Sequence, residues 1–311
     1  MAEPLVTVIC PTYNRSAMLQ CALRSVLNQD FPDFELRVMG DGCTDDSERM
    51  VAALADPRIV WFNFPRNTGS QSEPNNEGLR RARGRYVAFI GHDDLWFPWH
   101  LSRLVKHIQS TDADLVHDLV ASVGTEGIEG VYGPPHERSG YTRVYFPTSS
   151  WLHRRELPHE VGFWRKPDEL SWAIDYDFSR RVAEAGKKIS FLQSLGVLKF
   201  HSQVWKCYAL KGEPPEKWWL DEILQKPDQL KDRVLIELAT LCAPHFQAQD
   251  KKPLGLAWDE ATFGATMAVR ATIRDVLALY GLNRWPVGDL LRARMKRLRL
   301  RQRSIRGLPP A

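Results

Sequence analysis

Between residues 5 and 91 the chain repeats one pattern four times: a short apolar run, then a polar turn. The runs are LVTVIC (5–10), FELRVMG (34–40), RIVWFNF (58–64) and RYVAFIG (85–91). They are rich in β-branched and aromatic residues, and the continuous run LVTVIC predicts a strand buried on both faces. The segments between them carry helical spacing. Met18, Leu19, Ala22, Leu23, Val26 and Leu27 share one face of a helix over 17–29. A second helix is predicted over 47–54, with Asp45 or Asp46 placed to cap it, and a short third one near 76–82. Strands alternating with helices force a mainly parallel sheet covered on both sides, an α/β architecture. Ligands of such sheets bind beyond the carboxyl ends of the strands.

Each predicted strand ends in polar residues: Thr12, Tyr13 and Asn14, then Asp41, then Asn67, then Asp93 and Asp94. Any one alone reads as a turn residue. Their recurrence along one rim marks a binding edge. No GxGxxG follows the first run and no GxxxxGK[ST] occurs anywhere, so a nucleotide here would not rest its phosphates on a glycine-rich helix start. A divalent ion held by a carboxylate is then the natural counter-charge, because hard cations take oxygen ligands and bridge phosphates.

Composition narrows the class. The 311 residues are 43% hydrophobic and 26% charged, with a formal charge of +4, an ordinary globular balance. There is no run of about 18 apolar residues for a membrane span and no basic-then-apolar leader at the N-terminus. Cys10, Cys21, Cys43, Cys207 and Cys242 are scattered without CxxC spacing, so neither a disulfide framework nor a zinc site is expected, and a reducing cytoplasm is.

The ordered set VTVICPTYNR, VMGDGCTDDS, NTG and NNEGLRRARGRYVAFIGHDD resembles the N-terminal half of family 2 glycosyltransferases. Those are inverting, nucleotide-diphospho-sugar-dependent enzymes of the GT-A fold. The resemblance implies roles position by position. Pro11 and Tyr13 would line the base pocket, with Asn14 beside them. Asp41 would accept from the base, typically uracil. Asn76 and the 80–83 region would lie near the phosphates. Asp93 would hold the ribose and Asp94 a Mn²⁺ or Mg²⁺ ion. The chain departs from the family's Asp-x-Asp with His92-Asp93-Asp94, and has Gly40 where a second acid is frequent. His92 reads as a turn residue.

Further along, DADLVHDLV predicts a strand and GTEGIEGVYGPPHERSG a long loop, while 144–153 resembles the family's acceptor-side segment. In DELSWAIDYDFSRRVAEAG the resemblance makes Asp175 the general base, Ile174 standing where the family's first acid would be. Asp177, two residues on, points to another side of the helix and reads as an Arg-paired acid. LGVLKFHSQ predicts a final strand ending at His201, which relatives place close to metal and phosphates. Trp151 and Trp172 fit either a sugar platform or the core.

The expected organisation is a glycosyltransferase domain over 1–204, its nucleotide half about 1–110 and its acceptor half about 111–204. A helical extension follows over 205–311. Its last stretch, 290–306, is basic and amphipathic, which favours an anionic membrane face over a nucleic acid, since no nucleic-acid motif accompanies it. The expected activity is transfer from a UDP-sugar to a glycan, lipid-linked or other hydroxyl acceptor. The alternative is a weak or inactive nucleotide-sugar-binding scaffold that keeps the fold. A nucleotidyltransferase would want a basic, glycine-rich first turn, which is absent.

Overall fold

The structure, a computed structural model, describes residues 3–133, 141–142, 144–205, 208 and 212–247, with side chains to 241. The elements run β1 (Val6–Thr12), α1 (Ser16–Leu27), β2 (Phe34–Gly40), α2 (Ser47–Ala53), β3 (Ile59–Asn63), α3 (Ser72–Arg81), β4 (Tyr86–Phe89), β5 (Asp94–Trp96) and α4 (His100–Thr111). They continue β6 (Leu115–Gly124), β7 (Gly127–Tyr132), β8 (Trp151–Arg154), α5 (Leu157–Val161), α6 (Ile174–Glu184), β9 (Ile189–Phe200), α7 (Glu216–Gln225) and α8 (Pro227–Gln247).

The strands form one sheet in the order β3-β2-β1-β4-β8-β6-β9-β5, with β7 on β6. The half built from β3, β2, β1 and β4 is parallel. The other half is mixed: β8 is antiparallel to both β4 and β6, β9 runs parallel to β6, and β5 runs antiparallel to β9. The short third helix begins at Ser72, ahead of the Asn76 that sequence spacing marks.

Burial on both faces explains the continuous apolar runs. Side chains alternate across a strand. Val6, Val8 and Cys10 of β1 and Tyr86 and Ala88 of β4 face Leu19, Leu23 and Val26 of α1 and Leu101, Leu104 and Ile108 of α4. Ile9, Val87 and Phe89 face the other way, onto Leu79, Trp151, Trp164, Phe178 and Val182. Trp151 is a fully buried member of that cluster, which removes it as a sugar platform. A third cluster joins Leu95, Phe97 and Leu198 to Trp219, Leu220 and Ile223 of α7 and Leu230 and Val234 of α8.

The segment expected as a long loop after Gly124 differs in part. Residues 127–132 form β7, a hairpin partner of β6. Gly127 turns the chain with φ +131°, a conformation open to glycine. Ile128 is buried in the third cluster, with Val131 packed against it. Short, acid-interrupted stretches such as GIEGVY show little strand signal alone, and pairing supplies it.

A buried acid fixes the parallel half. The Glu35 carboxylate accepts from Thr7 Oγ1 at 2.7 Å, from the Arg83 amide at 2.9 Å, from Arg83 Nε at 2.8 Å and from Arg37 Nη2 at 3.0 Å. Burial works against its charge, yet these donors together hold its carboxyl below the usual range. A depressed carboxyl stabilises the fold above its unfolded value of about 4.3, and that contribution is lost as pH falls through the folded value. Glu35→Gln is expected to cost about 3 kcal/mol at pH 7 by urea unfolding, because it strands partly buried guanidinium groups. The gap to the wild type is expected to shrink below about pH 4.

Candidate active site

The strand ends of β1 and β4 meet a small cavity. Pro11, Gln71, Asn75, Gly91, Asp93, Asp94, Ser149, Asp175 and Lys199 are among its lining residues, and its volume is about 70 Å³. A larger recess of about 520 Å³ lies at the β1–α1 turn, lined by Tyr13, Asn14, Arg15, Asp45, Tyr208 and Pro214. Tyr208 ties the two regions together. Its ring lies 6.2 Å from Tyr13 and 5.9 Å, edge-on, from His92.

The two adjacent acids are not equivalent. Asp94 is fully buried at the start of β5. It stands opposite Lys199 in the antiparallel register with β9. Lys199 Nζ lies 3.2 Å from its Oδ2, the Phe200 amide donates to Oδ1 at 3.2 Å, and Ser149 Oγ donates to Oδ2 at 2.5 Å. Ser149 Oγ in turn accepts from the Gly91 amide at 3.0 Å. Both oxygens of Asp94 are therefore engaged. Asp93 is half-buried at the cavity, and among the described residues no other side chain donates to its carboxylate. Burial, and then Asp94, raise its carboxyl above the usual range, while His92 and Lys199 pull the other way. Of the two acids, the one expected at the ion is the engaged carboxylate, and the one expected at the ribose is the open one.

Asp175 lies in the first turn of α6, where the helix N-terminus favours a negative charge. Its Oδ2 accepts from Tyr145 Oη at 2.8 Å and its Oδ1 from the Tyr176 amide at 3.0 Å. Burial raises its carboxyl, against the opposing pull of Tyr145 and Lys199. Burial opposes the charge of Lys199, but Asp94 and Asp93 hold its ammonium above the ordinary lysine range. Asp177 is buried and pairs with Arg181 at 2.9 Å and with Arg165 at 3.5 Å, an Arg-paired acid rather than a surface one.

Other expected residues serve the frame. Asn14 Oδ1 accepts from the Thr44 amide at 2.8 Å, tying the β1 turn to the loop after β2. Asp41 is buried, and its Oδ1 accepts from the Thr68 amide at 2.8 Å, which orders the loop after β3. Asn76 does not line the cavity. Its Nδ2 donates to Trp164 O and its Oδ1 accepts from the Trp164 amide, both at 2.9 Å. His201 Nε2 shares a hydrogen bond of 3.1 Å with Tyr132 Oη and is not a lining residue. Trp172 is half-buried with Arg180 over its ring at 4.6 Å.

Sequence reasoning missed four groups. Asn75 lines the cavity, buried, with both amide atoms unpartnered. Its neighbour Asn76 drew the attention, and only the helix register separates them. Lys199 and Ser149 are far from Asp94 in sequence, so no local pattern announces them. Glu216 opens α7, buried, with neither carboxyl oxygen partnered among the described residues. Burial, reinforced by Asp93 and Asp94, pushes it up to about 8, so it is protonated at neutral pH.

Among the described residues no group of three or more His, Cys, Asp or Glu side chains could hold a metal. Asp93 offers an open carboxylate at the cavity, which suits an ion completed by oxygens of a substrate and water rather than a protein cage. Asn76→Ala is expected to lower stability by about 2 kcal/mol in thermal or urea unfolding, since it strands a buried amide and carbonyl of Trp164.

The comparisons with known proteins identify the family. The family described as glycosyl transferase family 2 matches residues 7–169. WcaA of Escherichia coli (strain K12), whose name assigns it to colanic acid biosynthesis, is 31% identical over 198 residues, 60% of this chain and 68% of that protein. The GalNAc(5)-diNAcBac-PP-undecaprenol beta-1,3-glucosyltransferase of Campylobacter jejuni is 39% identical over 106 residues, 33% of this chain, and the match spans 34% of that protein's length. The S. aureus TarS fragment 1–349, solved with UDP-GlcNAc, superposes with a TM-score of 0.55 at 20% identity, over 75% of this chain and 71% of that one, and shares the fold. With the family matched over more than half of its length and an acidic cavity at the strand ends, this chain belongs to glycosyl transferase family 2 and is a glycosyltransferase.

Proposed function

We propose that the protein is an inverting transferase that moves a sugar from a UDP-sugar to a hydroxyl of a glycan or lipid-linked acceptor. The observation that carries this reading is the cavity shared by Asp93, Asp175 and Lys199 at the carboxyl ends of the strands. Relatives support the chemical class. TarS is solved with UDP-GlcNAc, and the Campylobacter jejuni relative is named for glucosyl transfer on an undecaprenol-linked chain.

Asp175 is the base. It takes the proton of the acceptor hydroxyl as that oxygen attacks the anomeric carbon, on the face away from the leaving diphosphate. Asp41 accepts from the base edge of the nucleotide, Pro11 and Tyr13 wall it, and Asn75 turns its unpartnered amide toward the ribose or phosphates. Asp93, rather than Asp94, holds a Mn²⁺ or Mg²⁺ ion, with His201 outside the ligand set. When bound, such an ion supplies charge compensation to the departing nucleoside diphosphate. Asp94 instead anchors Lys199 and β5.

On this reading residues 1–204 carry the transfer chemistry, donor half first, and 205–311 form an appendage. Its first two helices are sealed to the sheet by the third cluster. The sequence stretch 261–281 with helical periodicity and the basic stretch 290–306 lie outside the described residues. Among the described residues no helix is long and apolar enough to cross a membrane. A lipid-linked acceptor would bring the protein to a membrane surface, where 290–306 would meet anionic headgroups.

A thermal-shift screen against nucleoside diphosphates and their sugars, with and without Mn²⁺, identifies the donor. UDP-sugars are expected to stabilise most, and more with the ion. Asp175→Asn is expected to cut transfer by about 10²- to 10⁴-fold while leaving donor affinity by calorimetry nearly unchanged. Transfer that survives would remove Asp175 from the role.

The two acids separate by a different pair of measurements. Asp93→Asn is expected to abolish the Mn²⁺-dependent part of UDP binding and keep the unfolding midpoint. Asp94→Asn is expected to lose about 3 kcal/mol of stability, because the half-buried Lys199 is left without its partner. The reverse outcome would return the ion to Asp94.

A further inference from the structure

The segment 144–150 touches both carboxylates of the site. Ser149 donates to Asp94 Oδ2, and Tyr145 donates to Asp175 Oδ2. Nearby, Tyr176 Oη of α6 donates to Thr142 O at 2.9 Å. Tyr145 itself is braced. The Tyr132 ring of β7 stands edge-on to it at 5.7 Å, and Tyr132 shares its hydroxyl with His201.

A base on a helix N-terminus needs one orientation. A lone aspartate can turn about its terminal torsion, which is broad. Asp175 is pinned on both oxygens, by Tyr145 on Oδ2 and by the Tyr176 amide on Oδ1. The phenol is the donor in this contact. Burial and the neighbouring Asp175 push the Tyr145 hydroxyl well above its ordinary value, so it keeps its proton. Each carboxylate oxygen still has a lone pair for an acceptor hydroxyl.

Resting on the assignment of Asp175 as the base, we propose that Tyr145 is its positioning residue. The Tyr145 hydroxyl fixes the Asp175 carboxylate for proton acceptance, and residues 144–150 set Asp175 and Asp94 as one unit. Tyr145 touches no reacting atom in this role. It acts through Asp175, by favouring the charged form and by holding its rotamer. Among the described residues, the other charged and titratable groups facing the pair are Lys199 of β9, Asp93 and Asp94 across the cavity, and Tyr132 of β7.

The test is a carbon-13 titration of aspartate side chains in the full chain, with the Asp175 signal assigned as the one absent from Asp175→Asn. A hydrogen bond to the charged form lowers a carboxyl, so its removal raises it. Tyr145→Phe is expected to move the Asp175 midpoint up by about one pH unit. Tyr132→Phe keeps the Tyr145 hydroxyl and is expected to leave the midpoint in place. The midpoint does not depend on the fraction of protein that folds. With the UDP-sugar selected by the screen, Tyr145→Phe is expected to lower kcat about tenfold at neutral pH with KM nearly unchanged, and its acid limb is expected to follow the midpoint. An unmoved Asp175 midpoint in Tyr145→Phe, or an equal shift in Tyr132→Phe, would overturn the positioning role while leaving the base in place. Full transfer by Asp175→Asn would instead overturn the base assignment and this inference with it.

Discussion

The site depends on one buried ion pair. Asp94 and Lys199 are opposite each other across β5 and β9, 105 residues apart in the chain. A carboxylate taken out of water is costly unless it is paired and its remaining lone pairs are met. Lys199, Ser149 and the Phe200 amide meet them here. The pair holds a strand of only three residues against the sheet edge. That strand fixes the residue before it. Asp93 lies at the cavity because Asp94 is locked into the ladder.

The sheet explains why so many polar ends converge. β1 and β4 are neighbours and parallel, so their carboxyl ends lie on one rim. The antiparallel β8 then lets residues 144–150 cross that rim from the other side, bringing Tyr145 and Ser149 against α6 and β5. The parallel half and the mixed half of the sheet thus share a seam rather than a linker. Glu35, with Thr7 and Arg83, secures the opposite end of the parallel half, where no ligand is expected.

The parallel half was legible because its signals are local. Continuous apolar runs, helical spacing and polar ends marked β1 to β4 and α1 within a few residues, and Asp93, Asp94 and Asp175 were found by motif. The roles within that set were not legible. Which acid of Asp93-Asp94 is open depends on Lys199, which belongs to a cross-strand register that no spacing encodes. Asn75 and Asn76 differ only by which face of α3 each occupies, and a short helix with a weak apolar pattern leaves that undetermined. β7 escaped notice for a similar reason. Its strand character comes from pairing with β6 and from burying Ile128, not from its own glycine-rich sequence.

Charge balance argues for an added cation. The cavity holds Asp93, Asp94 and Asp175 against Lys199, and Asp94 already neutralises the ammonium. Glu216 is nearby but protonated, so it adds no charge at neutral pH. A diphosphate arriving there would face two carboxylates with no free counter-charge among these residues, a repulsion that grows as water leaves. Burial already raises the carboxyls of Asp93 and Asp175 in the free protein, with Asp94 adding to the rise at Asp93. Protonating Asp175 would relieve the repulsion at the expense of the proton acceptor proposed for the transfer. On the proposed assignment, a divalent ion on Asp93 would relieve it without protonating Asp175, and Tyr145 would then need only to hold that carboxylate in place.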